Sequence, residues 1–211
     1  MSPSIQTHLI YLEGKAAVTL YIDGNKALLS ETSVSVIGTR SPSPEGLDLA
    51  QQIGHACARA GLVLMSGLAR GIDSTAMCAA LDAKGSLIGV IGTPLNHAYP
   101  PENAGLQNTV ARDHLLISPF PMTAKIDPKN FVFRNRVMAH MSKATVIVEA
   151  QARSGTRAQL GACIRENRPC FIHQATVDAV WWAQDAVRMG DAAPFQDVAS
   201  LLRQLMRADI I

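Results

Sequence analysis

Short runs of consecutive hydrophobic residues alternate with longer amphipathic stretches through most of this sequence. The hydrophobic runs predict strands at 34–38, 62–66, 87–91, 115–118, 144–149 and 170–172. Hydrophobic residues at helical spacing predict helices at 44–60, 72–83, 130–141 and 156–166. Strands that are hydrophobic on both faces and separated by helices are typical of a parallel sheet covered on each side. The sequence therefore predicts an α/β fold with a doubly wound, mostly parallel, Rossmann-like sheet and helices on both faces.

The segments on either side of this core have weaker patterns. Residues 18–22 predict an added edge strand, and two helices are predicted at 178–188 and 196–208. The pair Trp181-Trp182 could stack on bases, but its helical spacing favours a role in the core or in a dimer contact. We divide the chain into an N-terminal extension with an edge strand (1–30), a Rossmann-like core (31–175) and a C-terminal helical segment (176–211).

The composition is that of a folded protein. Of the 211 residues, 48% are hydrophobic and 17% are charged, which excludes a disordered or fibrous chain. No hydrophobic run approaches the roughly 18 residues of a membrane span. The N-terminal residues also lack the basic and hydrophobic regions of a secretory signal. We therefore expect a soluble, cytoplasmic protein with no membrane partner.

The cysteines and histidines do not indicate a metal centre or a hydrolytic triad. No two cysteines have CxxC spacing, and each lies within a hydrophobic helix or strand pattern, so we expect buried, reduced thiols. The cysteines are Cys57, Cys78, Cys163 and Cys170. His97, His140 and His173 lack acidic or cysteine partners at useful spacing. We predict neither a metal site nor a cofactor.

The positive charge of the chain is concentrated in one segment. The net charge is only +2, but residues 125–168 hold nine Lys and Arg residues against three acidic residues. The rest of the chain is acidic on balance. A local excess of basic residues of this kind favours a polyanionic ligand.

The loops after the first two core strands are rich in glycine and arginine. In such a sheet the ligand site lies beyond the carboxyl ends of the strands, where loop amides and helix N-termini converge. Residues 38–40 (GTR) and 66–73 (SGLARGID) therefore predict an anion cradle of free amides and arginine side chains. A capped strand-to-helix turn explains the same residues without a ligand. In that case Asp73 and Ser74 cap the helix, or Asp73 pairs with Arg70.

Residues 131–136 (FVFRNR) combine aromatic side chains with Arg134, Asn135 and Arg136. Aromatic and guanidinium groups together are typical of sites for single-stranded nucleic acid, because the bases stack while the phosphates are neutralised. Alternatively, one of the two arginines pairs internally with Glu149 or Asp73.

A second helix N-terminus is predicted after the fifth core strand. Ser154 is placed to cap this helix, and the amides of Gly155 and Thr156 are placed to face an anion. A capped helix without a ligand explains these residues equally well.

Taken in order, these motifs resemble those of the DNA processing protein A (DprA/Smf) family. The similar segments are GTR at 38–40, SGLARGID at 66–73, GTP at 92–94 followed by Tyr99-Pro100 and Asn103, FVFRNR at 131–136, VEA at 148–150 and SGT at 154–156. The resemblance covers residues 18–175 and concerns the Rossmann-like core of the family.

The resemblance implies a recombination mediator that binds and protects single-stranded DNA and helps to load the RecA recombinase in natural transformation. It also implies a homodimer. The implied DNA-facing basic surface comprises Arg40, Arg70, Arg134, Arg136 and Lys143. The residues implied to shape the phosphate crevice are Gly38, Ser66, Gly67, Gly71, Asn135, Ser154, Gly155 and Thr156.

Two other functions are compatible with the same type of sheet. The lysine-decarboxylase-like phosphoribohydrolases carry the motif PGGxGTxxE, whose glutamate acts at the ribosyl centre. Here Gln159 stands at that position, and an amide supplies no acid–base chemistry, so we predict that the protein is not an enzyme. An enzyme of this kind would depend on Glu149. The other alternative is a sensor that holds the phosphate of a free nucleotide.

Overall fold

Nine strands of the described chain form one mixed sheet. The structure is a computed structural model that describes residues 5–12 and 17–211. The strands are β1 (Gln6–Ile10), β2 (Val18–Gly24), β3 (Ser33–Ile37), β4 (Val63–Ser66), β5 (Leu87–Val90), β6 (Leu115–Ser118), β7 (Ala144–Ile147), β8 (Cys170–His173) and β9 (Ala193–Phe195). Their order is β1-β2-β6-β5-β4-β3-β7-β8-β9. The strands from β6 to β9 in this order pair in parallel, whereas β2 is antiparallel to both β1 and β6. The predicted mostly parallel α/β sheet is confirmed.

Helices cover both faces of this sheet. They are α1 (Pro44–Arg59), α2 (Ile72–Asp82), α3 (Ala104–Asp113), α4 (Pro128–Met141), α5 (Gly155–Arg165), α6 (Gln174–Ala179), α7 (Trp181–Met189) and α8 (Val198–Arg207), with short 3-10 helices at Lys26–Ser30 and Pro101–Asn103. Helices α1, α2, α3 and α8 bury their hydrophobic residues in one cluster, and α4, α5, α6 and α7 do so in another. Neighbouring residues of β4 alternate between the clusters, with Leu64 in the first and Met65 in the second, as the two-residue period of a strand requires.

Three helices start at the carboxyl edge of the parallel strands with well-formed caps. Ser43 accepts a hydrogen bond from the Gly46 N–H at 3.0 Å in front of α1. Asp127 accepts one from the Lys129 N–H at 2.7 Å in front of α4. The predicted cap Ser154 is confirmed, because its hydroxyl accepts from the Thr156 N–H at 3.2 Å in front of α5. These caps end the loops and direct the N-termini of the helices toward one edge of the sheet.

The structure corrects the predictions for both ends of the chain. The strand predicted at 18–22 is not an edge strand, because β2 lies between β1 and β6. The C-terminal segment is not purely helical, since Pro194 lies within β9, which pairs with β8. Proline is tolerated there because an edge strand does not need every N–H for pairing. The helix predicted at 178–188 is divided at Val180, whose backbone is extended.

The core role, one of the two alternatives for the tryptophan pair, holds for Trp182, and the predicted burial of the cysteines holds for three of the four. Trp182 is buried, and its indole N–H donates to the Gln151 carbonyl at 3.3 Å, whereas Trp181 is 51% exposed. Cys78 is also exposed, because it lies on the outer face of α2. The remaining cysteines are buried, as predicted: Cys57, Cys163 and Cys170.

This difference in burial predicts one rapidly reacting thiol in the native protein. Burial raises the pKa of the Cys57 thiol to about 12, and only Cys78 of the four cysteines is exposed. Ellman's reagent should therefore release one fast equivalent per chain and the other three upon unfolding. The Cys78→Ser variant should lose the fast equivalent. A fast equivalent that persists in this variant would contradict the arrangement of α2.

Within residues 5–12 and 17–211, no helix combines the length and the hydrophobicity that a membrane span requires.

Candidate nucleic-acid interface

A cavity of about 390 Å³ opens at the carboxyl edge of the sheet; we call it the crevice. Its walls come from the loops after β3, β4 and β7 and from the first turns of α4. The lining residues include Gly38, Thr39, Arg40, Ser41, Asp73, Phe131, Arg134, Asn135, Arg153, Ser154, Gly155 and Thr156. All of these residues belong to the range 31–175. The edge of the sheet that topology favours for a ligand therefore does hold a cavity.

The crevice brings together about half of the residues predicted for the site. Those that line it are Gly38, Arg40, Arg134, Asn135, Ser154, Gly155 and Thr156. Arg70 lines an adjoining cavity of about 230 Å³ that also contacts Arg40 and Tyr99. Arg136 lies farther out, between α4 and α5.

The amides predicted to bind a phosphate are instead held by Asp73. The Asp73 carboxylate accepts hydrogen bonds from the Gly38 N–H at 3.3 Å and the Gly67 N–H at 3.1 Å, and the Ala69 backbone adds a further one. The prediction of free amides is therefore wrong for these loops. Asp73 is not a helix cap either, because α2 begins after Gly71 without a capping side chain.

Beneath these loops lies a buried arginine. Arg134 is 5% exposed, and its Nη1 donates to the Val90 carbonyl at 2.9 Å. Its guanidinium interacts electrostatically with Asp73, which agrees with the alternative that one arginine pairs internally. A Cβ at Gly67 would overlap the guanidinium of Arg134, so any larger residue there would displace this buried side chain. Arg134 thus forms the floor of the crevice rather than part of an exposed basic surface.

The pKa values of this pair follow from its burial. Burial raises the pKa of the Asp73 carboxyl, and the positive charge of Arg134 and the backbone hydrogen bonds oppose this shift. Burial lowers the pKa of the Arg134 guanidinium, and Asp73 opposes that shift in turn. Each group therefore reduces the shift that burial causes in the pKa of the other.

The remaining residues of the second loop have structural roles. The Ser66 hydroxyl donates to the Val36 carbonyl at 2.6 Å and joins β4 to β3. Gly71 has a φ of +77°, and a Cβ there would lie 2.5 Å from the Thr39 carbonyl oxygen. The two loops therefore approach each other more closely than a side chain at Gly71 would allow.

The outer rim of the crevice is a row of aromatic and cationic groups. The guanidinium of Arg40 lies 5.8 Å from the centroid of the Phe131 ring, and the Phe131 and Tyr99 centroids are 5.3 Å apart. Beside this row, Arg70 Nε lies 3.4 Å from Glu102 Oε1. Arg70 thus pairs with Glu102. The pairing of Arg70 with Asp73, one of the alternatives from the sequence, is wrong.

On the opposite wall, Asn135 connects α4 to the start of α5, because its Nδ2 donates to the Gly155 carbonyl at 3.2 Å. A Cβ at Gly155 would meet no atom within 4 Å, so there is space beside the first residue of α5, although the cap Ser154 already accepts from the Thr156 N–H. The sequence reasoning did not assign Arg153 to the site, although it is exposed and lines the crevice. Its position next to the cap Ser154 is a signal that could have identified it.

Two predicted residues lie away from the crevice. Lys143 precedes β7, and its backbone N–H donates to the Ser33 carbonyl at the start of β3. It therefore lies at the amino edge of the parallel strands, opposite the crevice, so the structure does not bring it together with the other residues predicted for the DNA-facing surface. The Nε of Arg136 is 3.7 Å from Glu166 Oε1, and both side chains are largely buried.

Comparison with known proteins identifies the family. The sequence model described as DNA recombination-mediator protein A matches residues 6–206. The chain belongs to this family.

Relatives of known sequence or structure agree with this assignment. The DNA processing protein DprA of Bacillus subtilis is 33% identical over 79% of this chain and 62% of its own length. The X-ray structure of DprA from Streptococcus pneumoniae matches with a TM-score of 0.79 at 30% identity, over 88% of this chain and 65% of that one. A structure of Helicobacter pylori DNA processing protein A, which concerns its single-stranded DNA binding mode, has a TM-score of 0.84 at 22% identity, over 98% and 97%. The chain thus spans less than two thirds of the first two proteins.

The structure does not favour the phosphoribohydrolase alternative for this member of the DNA recombination-mediator protein A family. The Glu149 carboxylate accepts from the Ser43 hydroxyl at 2.7 Å and from its N–H, so it holds the start of α1. Gln159 is fully buried, and its Nε2 donates to the Thr145 hydroxyl at 3.3 Å. In the described ranges, no group of three or more histidine, cysteine or acidic side chains is arranged to hold a metal ion.

Proposed function

We propose that the crevice binds single-stranded DNA and that the chain acts as the core of a recombination mediator. The observation that carries this proposal is the row of Arg40, Phe131 and Tyr99 at the mouth of the crevice, with Arg153 on the opposite wall. Cations neutralise the phosphates of a single strand, and aromatic rings stack on its bases. Neither contact depends on base identity, so we expect binding with little sequence preference.

Side chains rather than backbone amides supply the binding energy in this proposal. Asp73 already occupies the amides of Gly38 and Gly67, which removes the arrangement that usually holds the pyrophosphate of a dinucleotide. The exposed arginines remain, together with the space beside Gly155 at the start of α5. Binding through such cations is expected to weaken as salt rises.

The proposed biological role is taken from the family to which the chain belongs. We propose that the protein is not an enzyme, that it forms a homodimer, and that it works in the cytoplasm in DNA uptake and recombination. Membership in the recombination-mediator family supports RecA as the partner that takes over the bound strand. The engagement of Asp73, Glu149 and Gln159 in internal hydrogen bonds supports a binding role over catalysis.

Replacing Arg40 by alanine should weaken single-strand binding by about tenfold, because a phosphate contact and a stacked guanidinium are both lost. The logarithmic salt dependence should become shallower by about 0.7, the value for one contact on a single strand. The measurement is fluorescence anisotropy of a labelled oligothymidylate at several salt concentrations, with a mononucleotide and duplex DNA as competitors.

Lys143→Ala is the matched control, since it removes the same charge at the opposite edge of the sheet. It should leave affinity and salt dependence unchanged. Equal losses in both variants would show that net charge alone drives binding and would reject the crevice. Full competition by a mononucleotide, with no dependence on oligonucleotide length, would assign the crevice to a nucleotide sensor.

A further inference from the structure

A second basic surface, the α4–α5 groove, lies between these two helices and has a volume of about 700 Å³. The cations that line it are Lys129, Arg136, Arg157 and Arg165. Among the described residues that line this groove there is no carboxylate. Such a concentration of one sign of charge in a concave surface attracts an anionic ligand.

Most of this charge is available to a ligand. Arg136 lies 3.7 Å from the buried carboxylate of Glu166, and the other oxygen of Glu166 lies 2.8 Å from His140 Nδ1. Glu166 is thus engaged beneath the groove. Lys129, Arg157 and Arg165, in contrast, are exposed.

The groove is continuous with the crevice. Val132 and Ser154 line both of them, so the two surfaces are direct neighbours at these residues. The crevice in turn shares Arg40 with the smaller cavity at Tyr99. The three concave surfaces therefore adjoin one another, and the groove leads from the carboxyl edge of the sheet along α5 to Arg165, the last residue of that helix.

Exposed apolar surface also lies beside these cations, in Val132, which lines the groove, and in Trp181, which lies next to Arg157 outside the lining residues. The guanidinium of Arg157 lies 4.6 Å from the centroid of the Trp181 ring, and Trp181 is 51% and Val132 55% exposed. Cations next to an exposed aromatic face suit a single-stranded nucleic acid, whose phosphates and bases need both. An acidic peptide would use the cations and leave the indole uncovered.

We infer that the α4–α5 groove holds the part of a single DNA strand that leaves the crevice. Arg157 and Arg165 contact its phosphates, and Trp181 stacks on a base. This inference rests on the proposed function of the crevice and adds the direction in which the strand continues. It predicts that short and long strands use different parts of the protein.

The test compares oligothymidylates of about 4 and about 16 nucleotides, the range of site sizes known for single-strand-binding OB folds. The double variant Arg157→Ala/Arg165→Ala should bind the long strand about tenfold more weakly and lower its salt dependence by about 1.4, because two phosphate contacts are lost. Its affinity for the short strand should be unchanged. Arg59→Ala, an exposed arginine at the end of α1 and the opposite edge of the sheet, should change neither.

The outcomes separate this inference from the function of the crevice. If the double variant binds the long strand normally while Arg40→Ala weakens both strands, the groove is not part of the strand's path and the proposed function stands. Equal losses on both lengths would also overturn the inference. If the wild-type protein binds neither strand, both proposals fail. Binding of a decaglutamate peptide that the double variant loses, without a change for DNA, would assign the groove to an acidic protein segment.

Tryptophan fluorescence gives a second readout without removing a charge. The chain has two tryptophans, of which Trp182 is buried and Trp181 is exposed. The long oligothymidylate should quench the fluorescence of the wild type, and the short one should not. Trp181→Phe should abolish this quenching while Trp182 still reports a folded protein. Quenching that survives in Trp181→Phe would show that no base stacks at this position.

Discussion

Replacing Asp73 by alanine is expected to lower the free energy of unfolding by about 3–5 kcal/mol, because it leaves a buried guanidinium without its countercharge. The same change removes the acceptor for the N–H groups of Gly38 and Gly67. Buried donors without partners are costly in themselves. The two loops that form the crevice should therefore loosen together, and single-strand binding should fall with stability.

Urea denaturation followed by circular dichroism measures this effect. Asp82→Ala is the control on the same helix, since Asp82 is exposed near the end of α2 and a surface change of this kind costs within about 0.5 kcal/mol. Removing both charges in Asp73→Ala/Arg134→Leu should cost less than the sum of the single changes, because no unpaired charge then remains. Additive losses would mean that the two groups do not interact.

Gly67→Ala is expected to cost about 2–4 kcal/mol, as overpacking combined with the loss of a buried hydrogen bond. The new Cβ would overlap the guanidinium of Arg134. The guanidinium would have to leave the Val90 carbonyl and change its position relative to the charge of Asp73. The added methyl group should therefore displace the guanidinium and destabilise the protein in the same way as removal of the arginine side chain, but to a smaller extent.

Gly105→Ala provides the matched comparison for the same measurement. Gly105 lies in α3, and a Cβ there would meet no atom within 4 Å. This change should be neutral or stabilise the protein by up to about 1 kcal/mol, because alanine loses less backbone entropy than glycine in a helix. If Gly67→Ala also unfolds at the wild-type urea concentration, the contact between this loop and Arg134 is wrong.

Both predictions concern the same feature of the site, the buried groups Asp73 and Arg134 beneath the loops. Asp73 and Arg134 interact electrostatically with each other and form hydrogen bonds to the backbone around them. They therefore form a rigid floor, and the proposed ligand contacts come from the side chains at the rim. Arg40 on that rim and Arg153 on the opposite wall are exposed and therefore accessible to the proposed single strand. The charged groups of the floor already have partners within the protein. The crevice therefore favours a ligand that lies across it over a ligand that is enclosed within it.

Hydrophobic patterning alone predicted the central strands and their helices, because residues buried on both faces of a sheet must be apolar in an unbroken run. Patterning missed the elements that bury few hydrophobic side chains. Helix α3 buries only Gln107 and Val110, so its sequence has no apolar stripe. Strand β1 is mostly exposed, and the three residues of β9 are too few to show an alternating pattern.

The order of the motifs along the chain determined, without any coordinates, that glycine, arginine and aromatic groups meet at the carboxyl edge of a parallel sheet. Only the tertiary structure decided what each of them does there. Asp73 takes the loop amides, Arg134 lies beneath them, and Lys143 lies at the other edge. A sequence specifies which groups are present, but whether an arginine meets water or a buried carboxylate depends on packing between residues distant in the chain. Burial then sets the cost of leaving either charge unpaired.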